Sequence, residues 1–251
     1  MPWLTSSDVD FYRENGWIIV DDALSVDVAT LQRFVSEIAA WDSEGEWLHH
    51  HERTENGPQL ARTENFTPFH DGMRALLREG ALVDIAGELL GEEAVLYKEK
   101  INYKLPSGAG FSPHQDKPAY PFVDRILSVM VAVDDSTIEN GCLEVVDARH
   151  QRVLEQDERG CIAPEIVKSM TWHHVPLRAG QTLFFDALTP HRSSRNATTN
   201  PRRALYPTYN AASEGDLREE YYAEKRRAFA NESADSRVRL SLIGDFEGIP
   251  V

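Results

Sequence analysis

Two histidines and an aspartate in the chain have the spacing of a metal site. His114 and Asp116 are separated by one residue and follow a turn rich in glycine and proline. In a strand, residues two apart project to the same face, so this imidazole and carboxylate can bind one ion. His191, after an apolar segment and a proline, offers a second imidazole. Two histidines and a carboxylate on one face leave the opposite positions open, which is the facial triad of non-haem Fe(II) oxygenases.

A guanidinium lies a short distance beyond the second histidine. Arg202 is 202 − 191 = 11 residues after His191, so a turn and the next strand can return it to the metal. Its planar fork suits the far carboxylate of a dicarboxylic acid, and Ser193 can add a hydroxyl donor. Histidine-x-aspartate alone is common by chance. The combination of all these residues predicts a metal site with a bound oxoacid and O₂ in the open positions.

The strand before the first histidine has a basic face. Lys98, Lys100, Asn102 and Lys104 alternate with residues of the opposite face. One interpretation is a solvated edge strand whose lysines prevent edge pairing. The other places this face at the mouth of a barrel, where a basic concavity in an acidic protein would concentrate anions.

Further candidates lie outside these motifs. Residues 42–70 are polar and irregular, which predicts a long loop acting as a lid or wall. Within it, Arg62 and Asn65 belong to a segment that either contacts the substrate or forms a capped turn. The tract His49–Glu52 could bind a metal but is more typical of a solvated patch. Tyr120 is either a wall of the pocket or part of the core.

The remaining elements indicate a mainly β fold. Helices are predicted over residues 6–15, 26–41, 73–90 and 214–230, and the tail to residue 251 is predicted to be irregular. Short strands bounded by glycine, proline, asparagine or aspartate are predicted over 94–105, 126–134, 142–146, 172–176, 181–185 and 203–210. Several short strands without intervening helices favour an antiparallel sandwich or barrel over a parallel sheet.

Composition limits the class of protein. The 251 residues fit one domain, and 26 basic against 41 acidic residues give a net charge of −15. That charge argues against binding nucleic acid through its phosphates. No apolar run approaches the length of a membrane span, and no secretory signal is visible. Cys142 and Cys161 form no disulfide framework, so a reducing, cytoplasmic location is predicted.

The chain resembles the phytanoyl-CoA dioxygenase family of Fe(II)/2-oxoglutarate oxygenases. The matching segments are Lys100-Ile101-Asn102-Tyr103-Lys104, His114-Gln115-Asp116, Asn140-Gly141-Cys142-Leu143-Glu144-Val145, Pro190-His191-Arg192-Ser193-Ser194 and Arg202-Arg203-Ala204-Leu205. The resemblance implies a single domain, residues 1–251, with a double-stranded β-helix (jelly-roll, cupin-like) core flanked by helices. A helical part would span about 1–92, the core about 93–210, and a C-terminal helix and tail 211–251. One departure is Asp147-Ala148-Arg149-His150, where the family tends to have Pro-Gly-Ser-His.

The resemblance also implies roles for the site residues. His114, Asp116 and His191 would bind iron, and Arg202 and Ser193 would bind 2-oxoglutarate. Similarity to ectoine hydroxylases implies that Lys98 and Asn102 contact 2-oxoglutarate and that Lys100 contacts the substrate. The expected reaction consumes 2-oxoglutarate and O₂, releases succinate and CO₂, and hydroxylates a C–H bond. Asp116 favours hydroxylation, because halogenating relatives lack this carboxylate.

The substrate is expected to be a small anionic or zwitterionic molecule. The chain looks closest to the phosphonate hydroxylases of the family, which act on 2-aminoethylphosphonate or its trimethylated analogue next to phosphorus. Lys100 would then pair with the phosphonate, helped by Asn65 or Arg62, and Tyr120 would line the pocket. Hydroxylation of a betaine, an amino acid or a natural product remains an alternative. A cupin-like metal binder without 2-oxoglutarate and a non-catalytic scaffold are alternatives of another class.

Overall fold

The computed structural model describes residues 2–42, 45–55, 57–230 and 240–251. The helices are α1 (Ser6–Asn15), α2 (Val28–Ala39), α3 (Asp71–Arg78), α4 (Ala81–Leu90), α5 (Pro164–Val167) and α6 (Arg218–Ala230). The strands are β1 (Trp17–Val20), β2 (Leu48–Thr54), β3 (Gly57–Glu64), β4 (Ala94–Asn102), β5 (Phe111–His114), β6 (Ile126–Ala132), β7 (Leu143–Val145), β8 (His173–Val175), β9 (Thr182–Asp186), β10 (His191–Ser193) and β11 (Ala204–Ala211).

The strands form the two antiparallel sheets of a double-stranded β-helix, as predicted. The major sheet has the order β1-β9-β6-β11-β4-β3-β2, and the minor sheet has the order β5-β10-β7-β8. Side chains alternate along β6: Met130 packs toward the minor sheet, whereas Val129 and Val131 join the core beneath the helices. Because side chains alternate between the two faces of a strand, one face of the major sheet packs against the minor sheet and the other packs against α2, α3 and α4.

The segment predicted as a long loop is largely a hairpin. β2 and β3 pair with each other, and β3 pairs with β4 through Arg62 opposite Asn102 and Glu64 opposite Lys100. β4 therefore lies between β3 and β11, so its interpretation as a solvated edge strand is wrong. The hairpin was missed because its polar residues look like a loop, while in the fold many of them face a buried, charged interior.

Two helix boundaries differ from the prediction. The helix expected over 73–90 is divided into α3 and α4 at Gly80, whose φ of 80° and ψ of −154° suit glycine and interrupt the helix. α6 begins at Arg218 instead of residue 214, because a 3₁₀ turn occupies Ala212–Glu214. No helix in the described ranges is both long and apolar enough to cross a membrane.

Residues 240–251, here named the C-terminal strap, lie across the open edge of the minor sheet. The predicted irregular tail is thus docked by backbone hydrogen bonds. The donor and acceptor pairs are Ser112 N to Asp245 O (2.7 Å), Glu247 N to Gly110 O (3.1 Å), Arg53 N to Ile249 O (2.8 Å) and Val251 N to His51 O (3.0 Å). The strap therefore connects β5 to the β2–β3 hairpin.

Candidate active site

The predicted metal ligands converge at the start of the minor sheet. His114 ends β5, His191 begins β10, and the two residues are opposite each other in the antiparallel register. Asp116 follows two residues after His114. One ligand atom from each of the three lies within 4.8 Å of the others, and all three residues are buried. No other such group occurs in the described part of the chain, and we name these three residues the triad.

Backbone carbonyls orient both imidazoles. Nδ1 of His114 lies 2.7 Å from the carbonyl of Ser112, and Nδ1 of His191 lies 3.0 Å from the carbonyl of Thr189. Because a carbonyl only accepts, each Nδ1 carries the proton and donates it. The Nε2 lone pair of each ring is therefore directed away from the backbone and available to a metal.

The carboxylate completes a donor set that fits Fe(II). Asp116 Oδ1 lies 3.9 Å and 4.0 Å from Nε2 of His114 and His191. Burial opposes ionisation of Asp116, but the neighbouring imidazole of His191 and the ammonium of Lys100 outweigh it and hold the pKa of the carboxyl well below its usual range. Burial and the neighbouring His114 lower the pKa of His191 to about 4, so this ring is neutral at pH 7. Two imidazoles and one carboxylate are the donors of a facial triad.

The predicted anchors for 2-oxoglutarate lie together further along β10. Ser193 is two residues from His191, hence on the same face of the strand. Arg202 is buried; its Nη2 donates to the carbonyl of Gly141 at 2.7 Å, and its Nε has no partner among the described residues. Lys104 Nζ donates to Ser193 Oγ at 2.9 Å and also lies 3.3 Å from the Gly141 carbonyl. Arg202 and Lys104 thus contact the same carbonyl, and Ser193 joins them through its hydrogen bond to Lys104.

Lys104 lies among these residues, although no role was predicted for it. Its position two residues after Asn102, the last residue of β4, was a usable signal, because it continues the alternating series of Lys98 and Lys100. Burial and the neighbouring Arg202 hold the pKa of Lys104 well below its usual range. An anion between Lys104 and Arg202 would relieve their repulsion.

Two lysines of β4 face the interior without a carboxylate partner. Lys98 Nζ lies 4.6 Å from the centre of the Tyr120 ring, and Lys100 Nζ lies 5.2 Å from the centre of the Tyr206 ring. Neither makes a hydrogen bond or an ion pair within the described residues. Burial lowers the pKa of both lysines; the charge of Lys100 lowers the pKa of Lys98 further, and the charge of Arg62 lowers the pKa of Lys100 further. We name Lys98 and Lys100 the lysine pair; both charges act on Asp116 of the triad.

The other residues predicted for the site, Arg62, Asn102 and Tyr120, are buried but differ in what they contact. Arg62 is buried; its Nε donates to Asn102 Oδ1 at 2.9 Å and its Nη1 to the carbonyl of Leu240 at 2.8 Å. Asn102 is therefore held by Arg62. Tyr120 is buried in the core, and its ring lies beneath Lys98, while its role as a wall of the substrate pocket stays a prediction.

Asn65 is not presented to the site. Its Nδ2 donates to the carbonyl of Glu46 at 2.8 Å, and its Oδ1 accepts from Arg218 at 2.9 Å. Its φ of 59° is left-handed, a conformation that asparagine tolerates in turns. The capped-turn interpretation therefore describes Asn65, whose amide joins the end of β3 to α6.

α6 supplies charged residues that the sequence did not assign to the interior. Lys225 Nζ lies 2.7 Å and 2.6 Å from the two carboxylate oxygens of Glu64, and both residues are buried. Arg218 pairs with buried Glu99 at 2.5 Å. Arg218 and Lys225 are seven positions apart on α6, about two helical turns, and this spacing puts them on one face. The prediction of a generally charged helix did not separate that face from the rest.

The histidine tract is neither a metal site nor a solvated patch. His49 Nδ1 lies 2.8 Å from Thr63 Oγ1, and His50 Nε2 lies 3.9 Å from the carboxylate of Glu64. The groups of metal-ligating side chains in the described ranges do not include either residue. Burial lowers the pKa of His50 to about 3 despite the nearby carboxylate, so His50 is a neutral part of the β2–β3 packing.

Comparison with known proteins agrees with this geometry. The phytanoyl-CoA dioxygenase (PhyH) family matches residues 12–204. Methylphosphonate hydroxylase of Gimesia maris is 47% identical, with 98% of this chain and 97% of that protein covered. The 2-aminoethylphosphonate dioxygenase of an uncultured bacterium is 32% identical, with coverage of 93% and 92%. The crystal structure of EctD from S. alaskensis with 2-oxoglutarate and 5-hydroxyectoine has a TM-score of 0.73 at 25% identity, covering 84% of this chain and 77% of that one.

The match covers most of the chain and includes all three triad residues and Arg202. The EctD structures from S. alaskensis include one with 2-oxoglutarate and one with bound Fe, and the triad supplies the donors that such a metal needs. The protein therefore belongs to the phytanoyl-CoA dioxygenase family and is an Fe(II)- and 2-oxoglutarate-dependent dioxygenase.

Proposed function

We propose that this enzyme hydroxylates a small phosphonate at the carbon next to phosphorus. The observation that carries the proposal is the lysine pair: the buried Lys98 and the half-buried Lys100 have no ion-pair partner among the described residues, and both charges act on Asp116 of the triad. An unpaired buried charge is costly, so the site is built for an anion. A phosphonate offers several acceptor oxygens on one small group, which suits two adjacent ammonium donors.

His114, Asp116 and His191 would hold the iron. When bound, iron with 2-oxoglutarate and O₂ supplies the oxidising power for C–H hydroxylation, which no side chain of the chain provides. The chain contributes a fixed geometry: the Ser112 and Thr189 carbonyls hold the two rings, and the negative charge of Asp116 balances part of the charge of the ion. Buried surroundings protect the reaction from bulk water.

Ser193, Arg202 and Lys104 would bind the far carboxylate of 2-oxoglutarate. Ser193 lies two residues beyond His191, about 6–7 Å along an extended strand. That length is comparable with a five-carbon dicarboxylate reaching from the metal to Ser193. The free Nε of Arg202 and the ammonium of Lys104 would then each gain an anionic acceptor.

We assign Lys98 with Lys100 to the substrate. Both project from the same face of β4, two residues apart, and both lie over aromatic rings that define a wall. Asn102, by contrast, has its Oδ1 engaged by Arg62 and serves to position that guanidinium. Arg62 Nη2 has no partner in the described ranges and would add a third cationic donor.

The test is succinate formation with Fe(II), 2-oxoglutarate and a panel of methylphosphonate, 2-aminoethylphosphonate, glycine betaine, L-proline and ectoine. We expect succinate and a 1-hydroxyphosphonate only with the phosphonates. Lys100→Met should raise the KM for the phosphonate at least about tenfold, the value of one charge-assisted contact, and leave the KM for 2-oxoglutarate nearly unchanged. Lys168→Met, at an exposed lysine of the surface, is the matched control. Turnover of betaine or proline without phosphonate turnover would refute the proposal.

A further inference from the structure

Asp245 of the C-terminal strap brings a second carboxylate to the metal site. Its Oδ2 lies 3.3 Å from His114 Nε2, the nitrogen that is directed toward the metal. The residue is 3% exposed, and Oδ1 has no hydrogen-bond partner in the described part of the chain. Leaving a buried carboxylate oxygen without a donor is unfavourable. The arrangement therefore indicates that a bound molecule supplies the missing donor.

Asp245 is placed beside the triad and not within it. The mutually close ligand atoms belong to His114, Asp116 and His191, and Asp245 is close to His114 alone. The strap fixes this position through its backbone, since Ser112 N donates to the carbonyl of Asp245 at 2.7 Å. Oδ1 of the carboxylate has no hydrogen-bond partner among the described residues and is free to contact a ligand.

The free charges around the site are of both signs. Lys98 and Lys100 supply two unpaired ammonium groups, and Asp245 supplies one unpaired carboxylate oxygen. Lys100 is near enough to Asp245 for the two charges to interact. A ligand that satisfies all three must carry an anionic group and, a short distance away, a cationic donor. That pattern describes a zwitterion.

We propose that Asp245 is a specificity-determining residue that binds the ammonium group of an aminoalkylphosphonate. This inference rests on the proposed phosphonate hydroxylation and adds the class of phosphonate. The phosphonate would lie against the lysine pair, and the ammonium would donate to the free oxygen of Asp245. A phosphonate without a cation leaves that oxygen unpaired and brings its own negative charge near a carboxylate, so the same residue selects against it.

The experiment compares kcat/KM for 2-aminoethylphosphonate and methylphosphonate in the wild type and in Asp245→Asn. We expect the wild type to prefer the amino compound. Asp245→Asn should lower kcat/KM for 2-aminoethylphosphonate at least about tenfold and leave or raise that for methylphosphonate, because a charged hydrogen bond is lost and a repulsion is removed. Glu247→Gln is the matched control: it removes an exposed carboxylate of the same strap and should preserve both values.

A binding measurement separates recognition from turnover. Each phosphonate is titrated, without oxygen, into protein holding Fe(II) and 2-oxoglutarate, and the dissociation constant is read from the change in the visible charge-transfer band. Asp245→Asn should weaken binding of 2-aminoethylphosphonate alone. Equal weakening of both phosphonates, no effect of the substitution, or a wild-type preference for methylphosphonate would overturn the role of Asp245. Failure of the wild type to oxidise either phosphonate would instead overturn the proposed function.

Discussion

The hydroxyl of Ser128 lies 2.5 Å from Oδ2 of Asp116, and both residues are buried. Ser128 is on β6 of the major sheet, whereas Asp116 follows β5 of the minor sheet. The hydrogen bond thus crosses between the sheets and holds one carboxylate oxygen, leaving Oδ1 for a metal. Ser128 is a positioning residue for the triad.

Ser128→Ala is expected to weaken Fe(II) binding about 10–100-fold, the usual effect of removing a hydrogen bond to a metal ligand. The dissociation constant for Fe(II), measured anaerobically by equilibrium competition, tests this directly. The KM for substrate at saturating iron should change little. Ser169→Ala, at a hydroxyl on the surface that bonds only to the carbonyl of Ile166, serves as the control. Unchanged iron affinity in Ser128→Ala would contradict the role.

Arg202→Ala should raise the KM for 2-oxoglutarate about 10–100-fold, because a charged hydrogen bond contributes about 1.5–3 kcal/mol. At saturating 2-oxoglutarate, kcat should recover most of its wild-type value. Arg203→Ala is an instructive control, since the neighbouring Arg203 points to the opposite face and pairs with Asp134 at 2.8 Å. A rise in the KM for substrate but not for 2-oxoglutarate would exclude Arg202 from the cosubstrate end.

His50 makes stability depend on pH. Burial lowers its pKa from 6.5 to about 3 in the folded protein, so the unfolded chain takes up the proton first as the pH falls. The free energy of unfolding is therefore unaffected by His50 above pH 6.5 and falls as the pH drops toward 3, by up to about 5 kcal/mol. His50→Gln should therefore flatten the dependence of the unfolding free energy on pH in this window. His174→Gln, at an exposed histidine, should keep the wild-type slope.

Ala148 has a φ of 54°, in the left-handed region that favours glycine. This is the position where the family tends to have glycine, so the departure in sequence carries a conformational cost. Ala148→Gly should raise the free energy of unfolding by about 0.5–1 kcal/mol, and Ala148→Val should lower it, since a branched side chain is more strained there. Urea unfolding of the three proteins measures both changes. The reverse order would show that packing, and not backbone strain, dominates this turn.

The triad at the centre of the site was predicted from the sequence more completely than the residues that surround it. Each triad residue lies in a local sequence pattern. The two-residue period of a strand relates His114 to Asp116, and an apolar segment followed by a proline precedes His191. Most strands of the jelly roll were predicted for the same reason, since their buried faces alternate with period two. Residues that lie within such local patterns could therefore be predicted from the sequence alone.

The walls depend on contacts between distant segments. Asp245 meets His114 only because the strap docks on β5 through backbone atoms, which leave no mark in residue types. Glu64 and Lys225 are polar residues that looked solvated until α6 covered the end of β3. Polar patterns predict exposure by default, so a charged interior is the part of a protein that sequence reasoning describes least well.

The opposition of His114 and His191 across β5 and β10 has a consequence for the holoenzyme. These strands are only four and three residues long, and their two histidines are 191 − 114 = 77 positions apart. An ion bound by both histidines cross-links the two ends of a long loop in the folded protein. The unfolded chain does not form this site, so binding of the ion stabilises the folded state. The melting temperature of this enzyme is consequently a gauge of its iron occupancy, and chelators are expected to act as denaturants of the minor sheet.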